Sequence, residues 1–258
     1  MLGAIAGDVI GSVYEFAPHR SVDFPLLGPA STFTDDTVLT CAVAHAILED
    51  GDYGAALRSF GRRYRGRGYG GMFRRWLADP ALGPYGSFGN GSAMRVGPVG
   101  LAFDSAERVL QEAARSAAPT HDHPEGVRGA QAVALAVFLA AHDADAQEIR
   151  REVEARCGYR LDRPVDDIRP SYGFDVTCQG SVPESIRCFL ESRDFEHAVR
   201  LAVSLGGDAD TMACIAGSIA EPFHGGLPAG LEAEIRQRLT PELVQLTDRF
   251  QERFGPRR

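Results

Sequence analysis

Almost every apolar run in this 258-residue chain repeats with the period of an α-helix. Residues 35–50 set the pattern: Val38, Leu39, Ala42, Val43, Ala46 and Ile47 fall on one face, the spacing of a helix that buries one side. The same reading predicts helices over 3–16, 54–64, 105–117, 125–142, 145–156, 183–191, 194–204, 211–220, 229–238 and 240–253. No segment alternates apolar and polar residues as a half-buried strand does. The expected fold is all-α, a single compact domain of roughly ten helices. Pro124 and Pro183 are expected in the first turns of their helices, and Thr240 caps the last helix with Pro241 at its first position. Residues 61–104, rich in glycine and proline, read as long ordered loops. In the first helix Gly3, Gly7 and Gly11 recur every four residues. Glycine lowers helix propensity, so this spacing predicts a face on which another backbone packs closely. Asp8, Ser12 and Glu15 share a different face.

Apolar residues make up 44% of the chain, enough for a sizeable core, and no linker divides it, so one domain over 1–258 is expected. The net charge of −8 disfavours general nucleic-acid binding but allows a local basic patch. The five cysteines, Cys41, Cys157, Cys178, Cys188 and Cys214, are scattered, and none forms a CxxC pair. They read as buried thiols in a reducing cytoplasm, with no cysteine-based zinc site. The N-terminus lacks a basic n-region, and Asp8 and Glu15 interrupt its apolar run, so no signal peptide is expected. The most apolar stretch, Val133 to Ala141, is too short to span a bilayer. A cytoplasmic protein with no membrane partner is expected.

Two acidic clusters carry the chemistry. Thr34-Asp35-Asp36-Thr37 and Gly206-Gly207-Asp208-Ala209-Asp210-Thr211 each precede an apolar helical run. Taken alone, the first is also what an ordinary helix cap looks like, because free backbone N–H groups and the helix dipole favour carboxylates there. The second exceeds the needs of a cap, which requires one acceptor and not Asp-x-Asp-Thr behind two glycines. Carboxylates this close repel unless cations or hydrogen bonds hold them. Together the clusters predict one site, at helix N-termini, for hard divalent cations. Oxygen ligands favour magnesium or manganese over zinc.

Weaker signals accompany them. Gly89-Asn90-Gly91-Ser92-Ala93-Met94-Arg95 is a glycine-rich loop without the Gly-Lys-Ser/Thr of a Walker loop. Its backbone N–H groups can still form an anion nest, and Arg95 could pair with a phosphate or pin the loop. In Thr120-His121-Asp122-His123-Pro124, Asp122 or His123 could cap the next helix, with His121 hydrogen-bonding near the site. Arg62 to Gly71 is basic and aromatic, and reads as a nucleic-acid contact, a rim that attracts a diphosphate, or a solvated face.

In order along the chain, Gly7-Asp8-x-x-Gly11-Ser12-x-x-Glu15, Thr34-Asp35-Asp36-Thr37, Gly89 to Arg95, Thr120-His121 and Gly206 to Thr211 resemble the ADP-ribosylglycohydrolase family. The resemblance implies an all-α metal-dependent enzyme that cleaves the N- or O-glycosidic bond at ribose C1″ of an ADP-ribosylated protein or other target and releases ADP-ribose. It implies two divalent cations, Mg²⁺ or Mn²⁺, held by Thr34, Asp35 and Asp36 on one side and Asp208, Asp210 and Thr211 on the other. Glu15, Asp36 and Asp210 would be catalytic. Gly89, Asn90, Gly91, Ser92, Met94, Arg95, His121 and Tyr172 would bind substrate, with Tyr172, Phe174 or Phe88 stacking on adenine. An ADP-ribosylated nucleic acid stays open as a target. Two other readings are a non-catalytic ADP-ribose or nucleotide-binding module and a hydrolase of a free ADP-ribose derivative.

Overall fold

The glycine spacing at the start of the chain sets the centre of the fold. A computed structural model describes residues 1–49 and 51–255, and among these the chain forms fifteen α-helices. The first, α1 (Leu2–Gly11), is buried at every residue, as expected of a helix apolar on nearly all sides. It runs antiparallel to α13 (Ala209–Phe223), the most extensive helix pairing in the molecule. A Cβ at Gly3 would lie 2.3 Å from the Gly217 carbonyl oxygen, one at Gly7 2.0 Å from that of Ala213, and one at Gly11 2.4 Å from that of Ala209. The face read from the glycine spacing is therefore real, and any side chain there would push the backbones apart. Because the pair is antiparallel, the C-terminal end of α1 meets the N-terminal end of α13, so the chain around Glu15 arrives at Asp208 and Asp210.

Around this pair stand α2 (Asp35–Leu48), α8 (Pro124–Ala141), α11 (Cys178–Leu190) and α12 (Phe195–Ser204). Outer layers come from α3 (Tyr53–Arg63) and α15 (Pro241–Phe254) on α2, and from α7 (Ala106–Ala117) and α9 (Ala146–Cys157) on α8. Thr240 caps α15 by accepting from the Leu243 N–H, and Pro241 opens that helix. Pro124 likewise opens α8, where the His123 ring, not Asp122, accepts from the Glu125 N–H. The five cysteines are free and buried. No helix among the described residues is long and apolar enough to cross a membrane.

Four expectations need correction. The first helix stops at Gly11 and not at 16. Ser12 bends the chain there: its hydroxyl donates to the Val9 carbonyl and accepts from the Thr32 N–H, a local alternative to continuing the helix. The region 61–104 is not all loop. It holds α4 (Gly71–Ala78), α5 (Gly91–Met94) and α6 (Gly97–Ala102). In α4, Phe73, Trp76 and Leu77 bury at helical spacing despite the flanking glycines, and in α6 Pro98 occupies the first turn, where it is tolerated. Pro183 sits inside α11, because Thr177 starts that helix earlier by accepting from the Gly180 N–H. The remaining short helices, α10 (Val165–Ile168) and α14 (Leu231–Arg236), complete the count. The helix expected to end at residue 50 ends at Leu48; residue 50 itself, like 256–258, lies outside the described residues. The only bridge of strand type among them joins Gly89 to Thr177.

Candidate functional site

The two acidic clusters face one another across the α1–α13 seam, and Asp8 of α1 holds the first in place. Thr34 caps α2, with its hydroxyl accepting from the Asp36 N–H at 3.3 Å. The Asp8 carboxylate accepts from the Thr34 N–H at 2.9 Å, the Thr34 hydroxyl at 2.7 Å, the Thr37 N–H at 3.1 Å and the Thr37 hydroxyl. Sequence reasoning placed Asp8 on a face with Glu15 and gave it no role. Its partners lie on another helix, so nothing local points to them. With four donors on it, Asp8 anchors the turn that presents Asp35 and Asp36. The Asp35 N–H donates to the Arg67 carbonyl at 2.7 Å. Gly68, at φ +99, lets the loop approach Asp35, since a Cβ there would fall 2.9 Å from Asp35 Oδ1.

At the second cluster, Gly206 adopts φ +67 and turns the chain into α13. Asp208 occupies the N-cap position, yet its side chain caps no N–H. It accepts instead from Asn90 Nδ2 at 2.7 Å, which ties the glycine loop to the cluster. Asp210 accepts from the Thr211 N–H at 2.9 Å. Asp36 Oδ2 lies 3.4 Å from both the Thr34 and Thr211 hydroxyls, which joins the clusters directly. Asp36 Oδ1 is buried with no hydrogen-bond partner. Carboxylate oxygens of Asp8, Asp36 and Asp210 lie within 4.8 Å of one another, and so do those of Glu15, Asp208 and Asp210. Asp210 belongs to both groups.

This crowding perturbs every carboxylate in it. Burial, then the charges of Asp210 and Asp8, hold Asp35 and Asp36 well above the ordinary range. Burial and Asp208 do the same to Asp210. Glu15 is pushed up to about 7 by burial and by Asp210 and Asp8. Asp208 rises to about 6 by burial, with the Asn90 amide working in the opposite direction. An orphaned buried oxygen, an all-oxygen donor set and carboxylates raised by mutual repulsion are together what a site for hard cations presents before the cations bind. The residues fit the group the sequence called for.

Beside the clusters opens a cavity of about 630 Å³. Glu15, Asp35, Asp36, Asp208, Asp210 and Thr211 line it, as do Gly89, Asn90, Gly91, Met94, Arg95 and His121. The Asn90 N–H donates to the Val176 carbonyl at 2.8 Å, which fixes the loop. Arg95 is fully buried behind it. One amino group donates to the Ser116 carbonyl and the Thr120 hydroxyl, both at 3.0 Å, while Nε and the other amino group have no partner. Burial pushes Arg95 down to about 10. His121 shares a 2.7 Å hydrogen bond with the Thr120 hydroxyl. Burial, then the Arg95 charge, holds the imidazole neutral, well below its ordinary range. Its Nε2 faces the loop, 3.2 Å from where a Cβ at Gly91 would stand.

Two of the expected substrate contacts lie elsewhere. Ser92 is buried and donates to the Gly126 carbonyl at 2.7 Å, and it is not among the residues lining the cavity. Tyr172 does not line it either. Its hydroxyl donates to the Gly180 carbonyl at 2.8 Å, and its ring backs Gly207, where a Cβ would come within 2.4 Å of it. Tyr172 backs the second cluster, whereas Phe88 and Phe174 line the cavity. Of the basic stretch, Arg67 stacks on Phe33 at 3.7 Å, Arg63 pairs with Glu242, and Arg62 donates to the Leu77 carbonyl. These arginines fasten the loop, while Gly68, Gly70 and Gly71 face the cavity.

An all-α fold with an acidic, oxygen-lined centre at two helix N-termini defines the class, and known proteins identify it. The family model for ADP-ribosylglycohydrolase matches residues 1–258. The chain is 29% identical to the ADP-ribosylhydrolase ARH3 of Mus musculus, over 87% of this chain and 82% of that protein. It is 27% identical to the ADP-ribosylarginine hydrolase Tri1 of Pseudomonas putida, over 88% of this chain and 71% of that one. A solved structure, an ADP-ribosylglycohydrolase-related protein complex, superposes with a TM-score of 0.72 at 26% identity, covering 98% of this chain and 95% of that one. The chain belongs to the ADP-ribosylglycohydrolase family.

Proposed function

We propose that this protein is a divalent-metal-dependent hydrolase that cleaves the glycosidic bond at ribose C1″ of an ADP-ribosylated target and releases ADP-ribose. The observation that carries the reading is Asp36 Oδ1, buried and unpartnered between two carboxylate clusters that share Asp210. Thr34, Asp35 and Asp36 on α2, with Asp208, Asp210 and Thr211 on α13, would hold two cations, Mg²⁺ or Mn²⁺. Such ions supply a Lewis acid that orients oxygen ligands and acidifies bound water.

The chain's own residues supply the rest. Glu15, on the cavity wall beside the second cluster, can both accept a proton from the attacking water and return one to the leaving group. As C1″ acquires oxocarbenium character, the carboxylates around it favour the developing positive charge. The Gly89–Gly91 backbone would receive the diphosphate. Neutral His121 can donate a hydrogen bond from one ring nitrogen while the other stays on Thr120. Phe88, on the cavity wall beside this loop, takes the adenine-stacking role in place of Tyr172. The clustered carboxylates support an enzyme over a non-catalytic module, and free buried cysteines suit a cytoplasmic setting.

The deciding experiment measures ADP-ribose release from arginine-linked, serine-linked, nucleic-acid-linked and free ADP-ribose substrates, with magnesium, with manganese and with chelator. Chelator-sensitive release from a macromolecular or amino-acid conjugate is expected. ADP-ribose binding without release from any of these substrates would favour a binding module, and release only from a free derivative would move the enzyme to that class.

A further inference from the structure

A carboxylate among other carboxylates stays in place only if something holds it there. Asp8 has its four donors, and Asp208 has the Asn90 amide. Glu15 has no such partner. Among the described residues no hydrogen bond reaches its side chain, and the neighbouring charges of Asp210 and Asp8 both repel it. Its place beside Asp208 and Asp210 therefore depends on how the backbone around it is fastened. On one side that backbone is α1, seated on α13 through Gly11. On the other it is the non-helical chain from residue 16 to residue 24.

That chain folds back as a hoop. The rings of Tyr14, His19 and Phe24 gather at its neck, with centroids 5.0 to 5.3 Å apart, so residues 15–18 form its tip. Arg200 of α12 fastens the returning limb. It donates to the carbonyls of Val22 at 2.9 Å and Phe24 at 2.6 Å, and its guanidinium lies 4.9 Å over the Phe24 ring. The tip has no buried anchor of its own. Residues 16–18 are exposed, and Phe16 stacks in solvent on Phe174, with ring centroids 6.1 Å apart.

Arg20 supplies the fastening between hoop and site. Its guanidinium donates to the carbonyls of Arg169, Tyr172 and Leu205, the last at 3.1 Å. Its stem lies on Gly206, where a Cβ would fall 3.3 Å from Arg20 Cγ and 3.4 Å from the His19 carbonyl oxygen. Gly206 is the turn that opens the second acidic cluster, and Tyr172 backs Gly207. One side chain thus joins the hoop to both supports of Asp208 and Asp210. A guanidinium fork can serve acceptors from separate segments at once, and a charged donor makes the stronger class of hydrogen bond. Resting on the hydrolase reading above, we infer that Arg20 is a positioning residue for the reaction: it clamps the Glu15 hoop to the Gly206 turn and keeps the Glu15 carboxylate beside Asp208 and Asp210 against their repulsion. Without the clamp the tip relaxes outward, and a displacement of about 1 Å at a proton-exchanging group is enough to cost about 100-fold in rate.

The test compares Arg20→Met, which keeps the stem on Gly206 and removes the donors, with Arg20→Lys, which restores some of them. Arg20 is exposed, so water can solvate the vacated carbonyls, and the melting temperature is expected to fall by only about 2–4 °C. The readouts, in the magnesium-loaded enzyme, are kcat and KM on arginine-linked, serine-linked and free ADP-ribosyl substrates, ADP-ribose affinity by calorimetry, and backbone hydrogen exchange. On whichever substrate the wild type turns over, Arg20→Met is expected to lower kcat about 10- to 100-fold, with KM and ADP-ribose affinity changed by less than about threefold. Exchange over residues 16–22 should quicken while α1 and α13 keep their protection, and Arg20→Lys should recover part of kcat. Unchanged kcat in Arg20→Met would overturn the inference and leave the hydrolase reading intact. A matching loss of ADP-ribose affinity would also overturn it, by making Arg20 a support of the whole cavity and not of Glu15. Faster exchange throughout α1 and α13 would overturn it by making Arg20 a residue of the fold. Binding of ADP-ribose by the wild type without turnover of any of the substrates would remove the hydrolase reading, and this inference with it.

Discussion

Gly11 lies directly against Asp210: a Cβ on Gly11 would fall 2.5 Å from the Asp210 Cα and 2.4 Å from the Ala209 carbonyl oxygen. A glycine at the last turn of α1 thus sets how closely Glu15, four residues on, can approach the second acidic cluster. The seam that organises the core and the geometry of the site are the same contact.

Substitution along that seam should separate packing from chemistry. Gly7→Ala inserts a methyl group within 2.0 Å of the Ala213 carbonyl oxygen, where the obstacle is backbone and cannot rotate away. Overpacking of this kind costs about 1–3 kcal/mol. In a domain of this size that is a melting-temperature loss of about 2–4 °C per kcal/mol. Gly11→Ala should show a comparable loss and, in addition, a lowered activity in the surviving folded protein, because it displaces Asp210. Thermal unfolding paired with activity per folded molecule checks both. Unchanged stability in Gly7→Ala would mean that the seam is looser than described.

Asp8 provides a second separation. Four donors from Thr34 and Thr37 converge on its carboxylate. Asp8→Ala leaves them buried without an acceptor, at about 1–3 kcal/mol for each group that stays unsatisfied. Urea denaturation should show a loss of about 3 kcal/mol or more. Asp8→Asn keeps the shape but turns an amide N–H₂ toward groups that are themselves donors, so it should recover only part of that loss. If Asp8 were chiefly a metal ligand, both variants would keep apo stability and lose metal affinity alone.

The helices were legible because their apolar faces repeat over several turns. The pieces that escaped are short or carry glycine and proline, as in α4, where Phe73, Trp76 and Leu77 decide the outcome only once a core exists to receive them. That Asp35, Asp36, Asp208 and Asp210 form one acidic group could be read because each cluster presents more acceptors than a helix cap uses. Asp8 could not, since its donors are on α2 and its spacing within α1 looks like any buried polar residue. Tyr172 shows only an aromatic ring in the sequence, and nothing local reveals that the ring backs Gly207. Phe16 is visible only once the chain is known to turn at Gly11; continued as a helix, residue 16 would point elsewhere.

The metal-free protein should lose stability as pH rises. Burial and mutual repulsion push Glu15 up to about 7 and Asp208 to about 6, above the ordinary carboxylate range, and Asp35, Asp36 and Asp210 are also held well above it. Folded carboxyls therefore hold protons that the unfolded chain releases. Their favourable contribution is complete below the unfolded values and is lost as pH climbs through the folded ones. Neutral His121 acts with the opposite sign, losing its contribution as pH falls below its unfolded value. The carboxyls outnumber it, so the apo melting temperature should drop between about pH 5 and pH 8. Asp36→Asn should flatten that slope, and millimolar magnesium or manganese should reverse it by binding the ionised cluster. An apo slope identical in wild type and Asp36→Asn would contradict this account. Anomalous diffraction from manganese-soaked crystals gives the positional check, with peaks expected between Asp36 and Asp210.

Asp210→Asn should abolish turnover and leave the fold intact. Asp210 is the carboxylate common to both acidic groups, so it is the one placed to touch two cations. Its replacement removes a negative ligand, and the expected fall in single-turnover hydrolysis is at least ~100-fold, the scale for losing one preorganised electrostatic group. The same change relieves repulsion from Asp208 and Asp8, the neighbours that help raise its pKa. An asparagine oxygen can still accept from the Thr211 N–H, as Asp210 does at 2.9 Å. The apo protein should therefore melt no lower than wild type, and slightly higher at pH 8, where the repulsion is greatest. Near-normal hydrolysis at saturating metal would reject the shared-ligand role. A fall in apo stability on the order of 1 kcal/mol would instead mark Asp210 as a helix-terminus residue whose charge serves the α13 dipole and first-turn N–H groups.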